Sequence, residues 1–223
     1  MEYKVPENPS ENRKGDFTPL VVISAILVTL YLIANLMAVK VIRIGSLSLF
    51  DAGTITFPFT YMLGDVLAEV WGYRTARRVI LLTFVCNAML VLFTGLGVLL
   101  PYPDYMQYMQ DAYATVYTYV PRIVVASLIS FLLGGLANAK GLVLIRRFQS
   151  GGRNLWIRTI GSSAIGYLFD TVFFVLIAFA GTVPASDIVF MIVVQYVAKL
   201  VIEVLFGTPF AYGCIGFLRR RFI

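Results

Sequence analysis

The chain has 223 residues, 59% of them hydrophobic and only 13% charged, with a mean hydropathy of +0.84. A soluble domain carries about a quarter charged residues, so the composition excludes one and predicts a single polytopic membrane domain. Histidine is absent and the net charge is +6. The first fact removes the commonest general base and metal ligand; the second is explained by topology, because Lys and Arg fall in short loops beside apolar runs rather than in a nucleic-acid-binding patch.

Residues 1–18 read as a polar cytoplasmic tail, since a full-length apolar span rather than a short one with a cleavage site follows them. The first helix is predicted over Leu20–Val39 (LVVISAILVTLYLIANLMAV), between Pro19 and Lys40. VIRIGSLSLFDAGTITF is too rich in Gly, Ser and β-branched residues to span, and predicts a strand-like or re-entrant excursion shielded by protein. A short second helix runs from Pro58 to Gly72, a third from Val79 to Leu100, and PYPDYMQYMQDAYATVYTYVP reads as an interfacial loop carrying tyrosines at headgroup depth.

The fourth helix is expected over Arg122–Ile145, with Ser130, Gly134, Gly135 and Asn138 as a small-residue face for close packing within or between subunits of a homo-oligomer. The fifth is expected over Thr159–Ala180 and the sixth over Ile188–Leu218, long enough either to tilt or to be broken at Gly207-Thr208-Pro209. The fold class is therefore all-α, with six transmembrane helices in a 19–218 domain and a basic tail over 219–223. Arg74, Arg77 and Arg78, the Lys140–Arg158 basic residues and Arg219, Arg220 and Arg221 fall on one side, which puts both termini in the cytoplasm. Cys86 and Cys214 sit in apolar surroundings and read as inert thiols.

Ionisable groups inside the spans carry the functional information, because each costs at least ~2.5 kcal/mol near the bilayer centre unless it faces a cavity or a partner. Asp65 and Glu69 lie four apart on one helical face with Tyr61. Glu69 either contacts a solute or pairs with Arg74, Arg77 and Arg78. Gln195, Lys199 and Glu203 form a second four-residue stripe, in which Lys199 and Glu203 either neutralise one another or line a cavity. Asp170 shares a face with Ser163, Tyr167 and Phe174 and has no charged neighbour within a turn, so its partner comes from another helix or from a ligand. Arg158 is a solute contact or a cytoplasmic anchor. Asn35 is the better candidate for a solute contact, and Asn87 for a helix-to-helix hydrogen bond.

Convergence of these groups on one aromatic-walled cavity would suit a small, flat, hydrogen-bond-rich solute. No phosphate loop, redox centre, catalytic constellation or metal-ligand set is legible, so transport without a cofactor is favoured over catalysis. A paired-carboxylate hydrolase using Asp65 and Asp170 lacks any set of oxyanion donors.

The runs FPFTYMLGDVLAEVWGYRTARRVI, LWIRTIGSSAIGYLFDTVFFVLIAFAG and QYVAKLVIEVLFGTPFAY, together with ANLMAVK in the first helix, resemble the queuosine precursor transporter family within the vitamin uptake transporter group. The resemblance runs from the first helix to Tyr212, apart from the middle loop. It implies a six-helix inner-membrane protein importing 7-cyano-7-deazaguanine or 7-aminomethyl-7-deazaguanine for tRNA modification. The matching positions are Asn35 and Lys40, Asp65 and Glu69, Arg158, Ser162 and Asp170, and Gln195, Lys199, Glu203, Thr208 and Pro209. The size and helix count equally fit a substrate-binding subunit that requires a separate ATPase module, and a carrier of another purine-like heterocycle.

Overall fold

A computed structural model describes residues 18–45, 47–148 and 155–222. The side chains of Arg158, Ser162 and Thr208, and residues 1–17 of the tail expected over 1–18, lie outside the described set. The protein is mostly helical. Helix α1 (Thr18–Met37) leads into a hairpin of β1 (Val41–Ile44) and β2 (Leu47–Asp51), and a 3₁₀ turn (Ala52–Ile55) delivers the chain to α2 (Phe57–Trp71). One residue, Gly72, separates α2 from α3 (Tyr73–Leu99). Then come α4 (Gln107–Phe148), α5 (Leu155–Phe179), α6 (Ala185–Ile202), a π turn (Glu203–Gly207) and α7 (Thr208–Phe222).

The strand-like excursion is a two-stranded antiparallel hairpin with Val41 opposite Asp51 and a bulge between Ile42 and Arg43. Its protection is specific. Ser48 Oγ donates to Asp187 Oδ2 in the first turn of α6 at 2.7 Å, and the Ala52 amide donates to the Lys40 carbonyl at 2.8 Å. Gly53 then presses on α1: a Cβ there would lie 2.4 Å from the Ala34 carbonyl oxygen, so only glycine lets the turn come this close.

Two expectations change. The tyrosine-rich stretch expected as a loop is helical from Asp104 onward, as a 3₁₀ turn (Asp104–Met106) continuing into α4. Between 107 and 120 it holds no glycine or proline to stop a helix, and Pro121 is accommodated inside α4 instead of starting it. The sixth helix is interrupted slightly before the expected Gly207-Thr208-Pro209 site, by a π turn that begins at Glu203.

Among the described residues four segments are long and apolar enough to cross a membrane: Thr18–Met37, Tyr73–Leu99, Asp104–Asn138 and Ala185–Gly207; a shorter apolar stretch, Ser163–Phe179, lies in α5. The small-residue face of α4 meets α5, where a Cβ on Gly134 would come within 2.8 Å of Asp170 Cβ. Arg122 of α4 caps the end of α5: its Nε donates to the Ile177 carbonyl at 2.7 Å and Nη2 donates to that of Ala180. Tyr119 adds a hydrogen bond to the Ala178 carbonyl. These donors satisfy carbonyls that a helix end leaves open. Cys86 and Cys214 are unpaired and partly buried.

Candidate functional site

Where the hairpin, α1, α4, α5 and α6 meet, a cavity is lined by Asn35, Asp51, Gly53, Thr54, Asp170 and Lys199, with Ser127, Ser130, Phe57, Phe174 and Gln195 completing its wall. The cavity is nearly closed, with about 10 Å³ of open interior, room for a single water molecule, so a larger solute enters only when its walls part. Its polar side chains are buried inside an apolar protein, so each needs a partner.

One wall is a chain of side-chain amides. Ser127 Oγ donates to Asn35 Oδ1 at 2.6 Å, Asn35 Nδ2 donates to Asn87 Oδ1 at 2.6 Å, and Asn87 Nδ2 donates to the Thr83 carbonyl at 2.9 Å. Asn35 thereby fixes α1 against α3 and α4 while lining the cavity. The opposite wall holds the charges. Lys199 Nζ lies 2.8 Å from Asp170 Oδ2 and 3.3 Å from Thr171 Oγ1, with both members of the ion pair 2% exposed. The rings of Phe57 and Phe174 have their centroids 5.3 and 5.9 Å from the same ammonium, within cation–π range. The partner that Asp170 lacked on its own helix is thus Lys199, and the Lys199–Glu203 pairing suggested by spacing is not how Lys199 is neutralised.

Asp51 stands at the hairpin exit, 1% exposed, and its Oδ2 accepts from Gln195 Nε2 at 2.9 Å and from Thr54 Oγ1 at 3.1 Å. Two acceptors on residues that line this site complete no hydrogen bond within the protein: Gln195 Oε1 and Asp170 Oδ1. Buried acceptors of this kind are the natural seats for donors on a ligand.

Along α2 and α6, away from the cavity, the character changes. Tyr61 packs on Phe131 and Tyr167 with ring centroids 5.3 and 5.4 Å apart, and Tyr31 packs on Phe57 at 5.4 Å. The Tyr61 hydroxyl is turned toward Asp170 without completing a hydrogen bond. Beyond this aromatic layer the Tyr167 hydroxyl is turned toward Glu203, which Asp65 also faces. Glu203 retains one buried oxygen without a partner, and Asp65 and Glu69 are exposed.

The predicted residues therefore divide. Asn35, Asp170, Gln195 and Lys199 line one cavity; Tyr61 and Tyr167 form the layer beneath it; Asp65 and Glu203 lie past that layer; Glu69 lies a further turn away. Sequence reasoning missed Asp51, Gly53, Thr54 and Ser127. The signal was in FDAGTITFP: an acid followed by Gly and Thr in a segment that had to be covered by protein.

A family-level comparison matches residues 51–214 to the family described as "Putative vitamin uptake transporter". A Bacillus subtilis (strain 168) protein called "Probable queuosine precursor transporter" is 31% identical over 81% of this chain and 77% of its own length. The Escherichia coli (strain K12) "Queuosine precursor transporter" is 27% identical over 76% of this chain and 74% of its own. A Haemophilus influenzae "Probable queuosine precursor transporter" is 25% identical over 73% and 67%. No solved structure matches the chain.

Proposed function

We propose, for a chain that belongs to the vitamin uptake transporter family and is a transporter rather than an enzyme, that it imports a queuosine precursor, 7-cyano-7-deazaguanine or 7-aminomethyl-7-deazaguanine, through the cavity between the hairpin and α5 and α6. The observation that carries this reading is the pair of unpartnered buried acceptors, Asp170 Oδ1 and Gln195 Oε1. A guanine-like edge offers two adjacent donors, the ring N1–H and the exocyclic amine, and this pair accepts them. The O6 of such a ring takes the remaining proton of Lys199, which makes two hydrogen bonds within the protein. Phe57 and Phe174 supply flat apolar faces.

In this reading the domain crosses the inner membrane six times, the short α2 included, with both termini in the cytoplasm where the basic residues concentrate. Gly134 and Asn138 of the small-residue face of α4 pack within the subunit against α5, and Gly135 does not. Transport needs no ATPase partner. Protein reconstituted alone into vesicles should show saturable uptake of labelled 7-cyano-7-deazaguanine, competed by the aminomethyl compound and not by adenine. Gln195→Met should cut that uptake at least tenfold, the scale expected when a site loses a hydrogen bond to its solute. Binding without uptake would identify an ATPase-dependent binding subunit, and competition by adenine a broader purine carrier.

A further inference from the structure

Asp51 is buried without a cation of its own. Its hydrogen-bond donors, Thr54 Oγ1, Gln195 Nε2 and the backbone amides of Asp51 and Thr54, are all neutral. Among the described residues no Lys or Arg nitrogen lies within 4 Å of it; the Lys199 charge reaches it across the cavity, but that ammonium is paired with Asp170. Two carboxylates and one ammonium thus line the cavity, which leaves a formal charge of −1 unmatched.

An unmatched carboxylate in the interior is strongly disfavoured. It is neutralised either by a proton or by a positive charge brought in from outside. Other features of the same cavity point to a ligand. Asp170 Oδ1 and Gln195 Oε1 are unpartnered on residues only 1% exposed. With its Nε2 committed to Asp51, Gln195 can turn only its carbonyl toward a solute, so Asp51 also decides which end of that amide is offered. The aromatic rings already facing the Lys199 ammonium show that this wall accommodates cations.

We propose that this site selects a solute carrying one positive charge, a planar heterocycle with a protonated amine substituent whose ammonium is matched by Asp51. The inference rests on the deazaguanine reading above and decides between its two solutes. 7-Aminomethyl-7-deazaguanine carries an ammonium at neutral pH, and the cyano compound is uncharged. In this arrangement Asp170 and Gln195 read the guanine-like edge and Asp51 reads the substituent.

The test is equilibrium binding to the purified full chain in lipid nanodiscs at neutral pH. The probes are the aminomethyl compound, its uncharged hydroxymethyl isostere and the cyano compound. The aminomethyl compound should bind at least about tenfold tighter than either neutral one, as matching a single buried charge requires. Asp51→Asn should bring the three within about threefold of one another by weakening the cation, and Asp51→Glu, which keeps the charge, should preserve the preference. Equal wild-type affinities, tighter binding of a neutral compound, or a tenfold preference surviving in Asp51→Asn would overturn the proposal and leave the deazaguanine reading standing. Binding of none of the three would remove both. If Asp51→Asn does not fold, the wild-type ratio decides by itself.

Discussion

Gln195 and Lys199 on α6, and Asp65 and Glu69 on α2, are the same pattern in sequence: polar residues four apart in an apolar helix. In the folded protein they differ completely. Gln195 and Lys199 are 1% and 2% exposed and reach partners on other elements, Asp51 and Asp170. Asp65 and Glu69 are exposed, and Asp65 faces another acid. Helical spacing brings polar groups to one face, but whether that face is a site depends on what the rest of the chain packs against it. Here the hairpin and α5 close over α6, while the far end of α2 lies beyond the aromatic layer. The contrast should therefore be measurable as a gradient of mutational cost.

The steepest cost is expected at the buried ion pair. Lys199→Met strands Asp170 at 2% side-chain exposure, and removing one partner of a buried pair costs about 3–5 kcal/mol. Thermal unfolding of purified protein should show the variant severely destabilised, and the double change Lys199→Met with Asp170→Asn should recover most of that loss. No recovery in the double variant would mean that Lys199 acts through its stem or through the aromatic rings rather than through the pair.

Next comes Gly134→Ala. Its Cβ would lie 2.8 Å from Asp170 Cβ and 2.9 Å from the Gly166 carbonyl oxygen, both on α5. Forcing these helices apart should cost about 1–3 kcal/mol and weaken solute binding together with stability, because Asp170 moves with α5. Gly135 has nothing within 4 Å of an added Cβ, so Gly135→Ala should be close to neutral. Equal effects at the two glycines would refute this packing. Asn35→Ala follows. It removes the partner of both Ser127 and Asn87, and side-chain hydrogen bonds between membrane helices contribute about 0.6–2 kcal/mol. A melting-temperature loss smaller than that of Lys199→Met checks the order.

The gradient shows what was legible in the sequence. Apart from the start of α4, the apolar runs placed the helices to within a turn or two, because length and hydropathy are local properties. The FDAGTITF excursion was recognisable for the same reason: it could not be a spanning helix. The tyrosine-rich stretch was misread because its aromatic composition suggested an interface, while its lack of helix-breaking residues over 107–120 decided its conformation. At the site, Asn35, Asp170, Gln195 and Lys199 stood out as polar groups in spans, but their pairing was hidden. Asp170 meets Lys199 across two helices, and Gln195 meets Asp51 across most of the chain, contacts that no short-range pattern encodes. Asp51 was invisible as a site residue because it ends a strand in a segment whose charges also fit a solvent-facing loop.

The smallest effect is expected at the far end of α2. Asp65→Asn removes a carboxylate that faces Glu203, so it relieves repulsion and should shift stability by less than about 0.5 kcal/mol, as should Glu69→Gln at its exposed position. Solute affinity discriminates more sharply than stability. Phe57 touches the cavity, Tyr61 lies in the aromatic layer one turn on, and Asp65 lies one turn beyond that. If the solute rests on the cavity side, Asp65→Asn should leave its Kd within about twofold, whereas Gln195→Met weakens it about tenfold. Rate is a separate quantity, since a solute leaving the cavity toward this end must pass Tyr61 and then Asp65 and Glu203; a slower uptake at unchanged Kd would place these acids on the exit path. A tenfold loss of affinity in Asp65→Asn would instead mean that the solute reaches through the aromatic layer, and that both four-residue stripes belong to one binding site.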